Sequence, residues 1–156
     1  MLSPARFTIF DDVVAFSTPP ADTFDYLTDP RNRPAWQSSL RRIDDLHVIG
    51  DRAGDVGTNW TDVTIVPGGV SPRLEVTACE PHRLWREVGG WRSVDAVLSL
   101  RFDERADGGT DVRAEATLTV PVIGVPVLAV NRWPAAQAIR ADLARAARIV
   151  ADHGGR

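Results

Sequence analysis

Three histidines, His47, His82 and His153, and one cysteine, Cys79, are the residues here that most readily bind metals or act as nucleophiles. Their spacing suits neither task. The histidines are far apart and match no ligand pattern such as His-Glu-x-x-His, and Cys79 has no second cysteine near it. No Gly-x-Ser-x-Gly elbow is present, and nothing beside Cys79 would activate its thiol, so it reads as a buried, inert side chain. Gly68-Gly69, Gly89-Gly90 and Gly108-Gly109 lie between runs of strand character and read as turns, and no GxGxxG or Walker loop occurs. The expectation is a protein without metal or cofactor.

Among the carboxylates, Glu87 stands out. If Glu80 to Arg83 closes a tight hairpin, Cys79 faces Leu84, Ala78 faces Trp85 and Val76 faces Glu87, and opposed residues share a face. Leu74, Val76 and Ala78 make the apolar face, so Trp85 and Glu87 point inward and Arg86 outward. A carboxyl group in an apolar pocket has a raised pKa and serves as general acid or base. A bulge or a strand end at this place would instead leave Glu87 solvated or paired with an arginine. Five tryptophans, Trp36, Trp60, Trp85, Trp91 and Trp133, add a second signal. Each ring buries ~150–250 Å² and carries one N–H that can orient a ligand, although for any single tryptophan other than Trp36 and Trp85 plain core packing is the better account.

These residues need elements to position them. Phe7 to Ser17 has the β-branched and aromatic content of a strand and stops at Thr18-Pro19-Pro20. Ala21 to Thr28 reads as a short helix opened by Pro20, and Arg33 to Ser39 as a second. Six strands follow, at Leu40–Ile49, Thr58–Val66, Arg73–Cys79, Arg83–Val88, Ser93–Asp103 and Thr110–Val120, joined by Gly, Pro and Asp turns. In the last two, Ala96, Leu98, Leu100 and Phe102 share a face, as do Val112, Ala114, Ala116 and Leu118. The segment from Asn131 to Asp152 is helical, with Asn131 as N-cap and Pro134 in the first turn. Ile139, Leu143, Ala146, Ala147 and Val150 form its apolar stripe, and Arg140, Asp142, Arg145, Arg148 and Asp152 fall mainly on the other face. At about 1.5 Å per residue it is long enough to cover the sheet. The most apolar window, Leu118 to Val130, is broken by Pro121, Gly124 and Pro126 and reads as a buried loop leading into the helix.

Composition sets outer limits. The 156 residues suit a single domain, 1–156, with a real core. A net charge of −3 gives no electrostatic reason to expect nucleic acid, and no apolar run approaches the ~20 residues needed to insert stably in a membrane. All 18 basic residues are arginine, which suggests GC-rich coding and a bacterial source. One cysteine and a start unlike a secretory signal point to the cytoplasm.

The order strand, two short helices, six strands and long C-terminal helix resembles the helix-grip fold of the START and birch-pollen-allergen (SRPBCC) superfamily. Within it the chain is most similar to the polyketide cyclase/dehydrase-like group. The local matches are Pro19 to Pro30, Trp36, Gly57-Thr58, Cys79 to Trp85, and Gly108 to Arg113. The resemblance implies an α+β fold in which a curved seven-stranded antiparallel sheet grips the C-terminal helix. It also implies a hydrophobic or aromatic small-molecule partner, lipid- or polyketide-like, held between sheet and helix. Trp36, Trp60, Val76, Trp85, Leu98, Leu100, Ala114, Trp133 and Ile139 are expected to line that cavity, with Asn59 and Glu87 as polar handles. Trp36 and the 50–57 and 67–72 loops would gate it. Two other readings stand beside binding: a polyketide cyclase/dehydratase using Glu87 as general acid/base, and an interaction module with no ligand. An exposed edge strand would permit a homodimer.

Overall fold

Apolar alternation in this chain needs a cover, and the computed structural model shows what provides it. The structure describes the backbone of residues 3–154 and the side chains of 3–123 and 134–154. Seven antiparallel strands form one curved sheet in the order β1-β7-β6-β5-β4-β3-β2. They are β1 (Ala5–Phe16), β2 (Leu40–His47), β3 (Asn59–Thr64), β4 (Arg73–Glu80), β5 (Leu84–Trp91), β6 (Val94–Glu104) and β7 (Thr110–Val120). β1 and β2 are the two edges, so the chain between them must cross the whole sheet. It does so as α1 (Pro20–Thr28), a 3₁₀ turn (Pro30–Asn32) and α2 (Arg33–Trp36).

Local chemistry explains this crossing. Pro20 starts α1 at a position where a missing N–H costs nothing, and Phe24 and Leu27 turn inward. Asp29 ends α1 in an extended conformation and caps the 3₁₀ turn by accepting from the Arg31 amide. The second helix is shorter than its expected Arg33–Ser39 span, because Gln37 is already extended. The Thr18 carbonyl accepts from the Thr110 hydroxyl at 2.8 Å and from that of Thr23 at 3.2 Å, tying α1 to the start of β7.

The C-terminal helix α3 spans Val125–Gly154 with Pro134 inside it, so it begins six residues before the expected Asn131. Residues 118–130 are therefore not a buried loop. β7 runs to Val120, a 3₁₀ turn follows at Val122–Gly124, and Val122 and Ile123 are 41% and 89% exposed. Leu143, Ala146 and Val150 are buried against the sheet, and Ile139 is partly buried. Asp142 departs from the expected polar face and is buried. It follows Ile139 by three residues and so borders the apolar stripe. No described helix is long and apolar enough to cross a membrane.

Two hairpins differ from expectation. Gly89 and Gly90 lie within β5, paired with Ala96 and Asp95, and the turn is Arg92-Ser93 with Arg92 at φ 55°. At the β4–β5 hairpin Cys79 faces Trp85 and Ala78 faces Arg86, because His82 at φ 65° closes a three-residue loop. A bulge between Val76 and Ala78 restores Val76 opposite Glu87. Cys79 thereby packs on the core in place of Ala78.

Trp85 shows how the packed end of the sheet is locked. It is 1% exposed, and its indole N–H donates to the buried Gly54 carbonyl at 3.0 Å, pinning the 50–57 loop. Trp85→Phe leaves that carbonyl without its donor. The expected cost is about 1–3 kcal/mol in denaturant unfolding, with faster amide exchange confined to residues 50–57.

Candidate functional site

Strand pairing sets the floor of a cavity. One inward row crosses the sheet as Val76, Glu87, Leu98 and Ala116, and the next as Trp60, Leu74, Gly89, Ala96 and Leu118. Three of these positions, Gly89, Ala96 and Ala116, are small, and at Gly89 a Cβ would press on the Leu74 side chain at 3.1 Å. Missing side-chain volume leaves a cavity of ≈ 200 Å³ beneath α3. Ile139, Asp142 and Leu143 form its roof, and Arg33, Trp36, Gln37 and Ser39 close one side.

Most of this wall is apolar, with one charged corner. Arg33 is 3% exposed and reaches from α2 to two strands. Its Nη1 donates to Glu87 Oε2 at 2.8 Å, and its Nη2 to Asp62 Oδ2 at 2.8 Å. The guanidinium lies 5.1 Å from the Trp60 ring centroid, and the Trp60 indole donates to the other Asp62 oxygen at 2.9 Å. A single cation thus faces two buried carboxylates. Burial pushes the Glu87 pKa up to about 7; Arg33 opposes the shift and Asp62 adds to it. Burial also works against the charge of Arg33, but Glu87 and Asp62 together hold its pKa above the ordinary value. On the roof, Asp142 Oδ1 accepts from the Ser38 amide at 3.1 Å. Arg33 Nε and Trp36 Nε1 are buried donors without an acceptor.

The expected site residues separate into groups. Trp36, Glu87, Leu98, Leu100 and Ile139 meet at the cavity. Trp60, Val76, Trp85 and Ala114 are buried in the core and are not among its lining residues. Asn59 is corrected: Trp60 points inward, so its neighbour faces the opposite side of the sheet, where the Asn59 amide donates to the Gly57 carbonyl and its oxygen accepts from Arg73. Trp133 lies outside the described side chains, and Asn131 falls inside α3 and so is not its N-cap. No residue of the 50–57 or 67–72 loops is among the cavity's described lining, and the Gly54 carbonyl of the first is held by Trp85. Arg33, Asp62 and Asp142 escaped the sequence reading, although each had a signal. Arg33 precedes Trp36 by three residues on a helix, Asp62 is two residues from Trp60 on a strand, and Asp142 follows Ile139 by three. Among the described residues no three His, Cys, Asp or Glu side chains are grouped to hold a metal ion.

Residues 8–153 match the family model for polyketide cyclase/dehydrase and lipid transport. The chain belongs to this family. The polyketide cyclase/dehydrase and lipid transport family is thereby joined to the helix-grip fold seen here, and solved structures agree. A point mutant of Thalictrum flavum norcoclaurine synthase, in complex with a transition state analogue, superposes with a TM-score of 0.71 at 12% identity, covering 99% of each chain. The di-domain aromatase/cyclase StfQ of the steffimycin biosynthetic pathway gives 0.75 at 14% identity over 99% of this chain and 53% of that one. Ara h 8.0201 gives 0.66 at 14%, covering 95% and 99%. At such identities the likeness is one of fold. No functionally curated protein matches this family member in sequence.

Proton uptake by Glu87 makes the site visible in solution. Its folded pKa of about 7 lies above the ordinary 4.5, so the folded state holds a proton that the unfolded chain has already lost. The resulting stabilisation is fully present below about pH 4.5 and is lost as pH rises through about 7, on the order of 3 kcal/mol in all. Glu87→Gln removes the ionisation while keeping an oxygen for Arg33. Urea unfolding from pH 5 to 8 is expected to lose this downward slope in the variant.

Proposed function

We propose that the protein binds a mostly apolar small molecule in the cavity between sheet and C-terminal helix, orienting it at the Arg33–Glu87 corner. The observation that carries this reading is the ≈ 200 Å³ space itself, apolar on most sides and charged at one corner. Small residues at Gly89, Ala96 and Ala116 keep this half-open space clear beneath α3, and an interaction module without ligand gives no reason to keep it. The family match supports the same reading. Binding energy comes from apolar burial at about 25 cal/mol per Å², less the costs of association. Residues 1–156 are taken as one domain working in the cytoplasm.

Ala116 offers the direct test because its methyl group lines the cavity and is 8% exposed. Ala116→Leu should fill the space, keep or raise the thermal midpoint, and weaken uptake of a fluorescent apolar probe by about tenfold or more. Native mass spectrometry of the freshly purified protein should show a small-molecule mass that disappears on denaturation. Unchanged probe affinity in the leucine variant would remove the cavity from the reading.

A second reading, a cyclase or dehydratase, is favoured by one observation: the carboxyl group of Glu87 lines the cavity, where burial raises its pKa to about 7. Here the cavity would hold the substrate in a reactive conformation, and Glu87 would take or return a proton as bonds rearrange. Glu87→Gln separates the two roles. A binder keeps its affinity within a few-fold, whereas an enzyme loses turnover by about 10²-fold or more.

A further inference from the structure

One end of the sheet gathers exposed apolar side chains that the core does not use. Strand pairing sets a row across the sheet at Thr119, Asp95, Gly90, Arg73, Thr61 and Asp44. Past this row β7 gives way to Val122 and Ile123, 41% and 89% exposed, and β3 to Ile65 and Val66, 57% and 45% exposed. Four strand spacings separate the two pairs, about 19 Å along the sheet and less across its curve. Single exposed apolar residues are ordinary, but two pairs at one end, set in the uncharged stretches 65–72 and 120–124, make a patch.

Charge indicates what covers it. Arg6, Arg41 and Arg92 are exposed at or past the row and enter no ion pair among the described residues. The one described acid past the row, Asp62, is buried against Arg33, and Asp44 on the row is held by Arg42, which leaves Asp95. This end is therefore basic in a chain whose net charge is −3. A second apolar group, Val48, Ile49 and Val56, lies at the opposite end of β2, beside Asp51 and Asp55. At the basic end the Arg92 guanidinium also lies over the Trp91 ring, 4.4 Å from its centroid, and an indole suits the boundary between water and lipid. An anionic bilayer meets both features: branched side chains enter the headgroup–acyl boundary, and guanidinium groups face the lipid charges. It also accepts two separated apolar tips without needing a matching relief of its own.

We propose that this end of the sheet docks reversibly on the surface of an anionic lipid bilayer, with Ile65, Val66, Val122 and Ile123 at the acyl boundary and Arg6, Arg41 and Arg92 on the headgroups. The carbonyl of Ser39, an exposed residue of the cavity lining, accepts from the Ile65 amide at 2.9 Å. On the cavity-binding reading, docking thus brings the cavity beside a store of apolar molecules; the docking itself does not depend on that reading.

The test is sedimentation of the full chain with vesicles of phosphatidylcholine alone, or of phosphatidylcholine with about one-third phosphatidylserine. Partition onto the anionic vesicles should be greater by about tenfold or more, and the excess should vanish as ionic strength rises from about 0.05 M to about 0.5 M. Ile65→Ser combined with Ile123→Ser should weaken binding to the anionic vesicles by about tenfold or more. Arg41→Gln combined with Arg92→Gln should weaken it by about tenfold while leaving partition onto phosphatidylcholine within about twofold. Ile49→Ser, at the opposite end, should change neither by more than about twofold. All five positions are exposed, and the thermal midpoint of each variant shows that it has kept its fold. Absence of vesicle binding would overturn the proposal, as would an equal loss in Ile49→Ser. Retention on immobilised polyglutamate without vesicle binding would also overturn it and assign the basic end to an acidic protein. Uptake of the apolar probe in solution reads the cavity separately, so docking and cavity binding fail independently.

Discussion

A buried guanidinium cannot shed its proton, so everything around Arg33 must supply negative charge. Asp62 and Glu87 do so from β3 and β5, and the arrangement fixes where α2 sits on the sheet. Trp60 belongs to the same unit, because its ring lies beneath the guanidinium and its N–H satisfies the second Asp62 oxygen. Burial raises the Glu87 pKa at the cavity wall, Arg33 only partly opposes this, and the second carboxylate, Asp62, adds to it. The polar corner is thus both a clasp between helix and sheet and the source of the site's acid–base character.

Stability and cavity are divided along the strands. At one end of the sheet Phe16, Phe24, Leu27, Trp85 and Phe102 are packed with almost no exposure, and Val150 of α3 closes over them. Large side chains there contribute the apolar burial that a fold of this size depends on. Towards the other end the inward positions become Gly89, Ala96 and Ala116, and α3 presents Ile139 and Asp142 over open space. Because the packed end holds the helix, the small residues do not simply let it collapse onto the sheet. The void survives as a consequence of rigidity elsewhere.

Much of this could be read from the chain. Strand alternation gave the inward faces of β6 and β7, helical spacing gave the stripe from Ile139 to Val150, and hairpin counting placed Glu87 inward. Glu87 came out right despite a wrong register at the turn, because the bulge before Ala78 cancelled the one-residue error. Hydrogen-bond register near a loop depends on a single backbone conformation, here His82, which composition does not reveal. The helix start was misplaced for a related reason: Pro134 resembles a first-turn residue, yet α3 tolerates it in its interior. The Arg33 cluster was missed because an arginine between two prolines reads as solvated surface. Only the fold, bringing positions 33, 62 and 87 from three separate elements, shows why that charge is buried.

The same cluster explains why family and fold leave binding and catalysis so close together. The helix-grip fold is shared with proteins as different as Ara h 8.0201 and the di-domain aromatase/cyclase StfQ, at 14% identity. What distinguishes one member from another must therefore lie in side chains and not in the fold itself. In this chain the polar ones at the cavity are Arg33, Trp36, Glu87 and Asp142, set into walls that are otherwise apolar. Holding a ligand needs Glu87 only as a hydrogen-bonding partner, whereas turnover needs its proton to leave and return. Arg33 bears on both, since it lowers the cost of the ionised form while fixing one carboxyl oxygen. A buried acid at the wall of an apolar cavity is thus compatible with storage and with proton transfer, and the difference rests on whether a bound molecule places an exchangeable hydrogen within reach of the Glu87 carboxyl group.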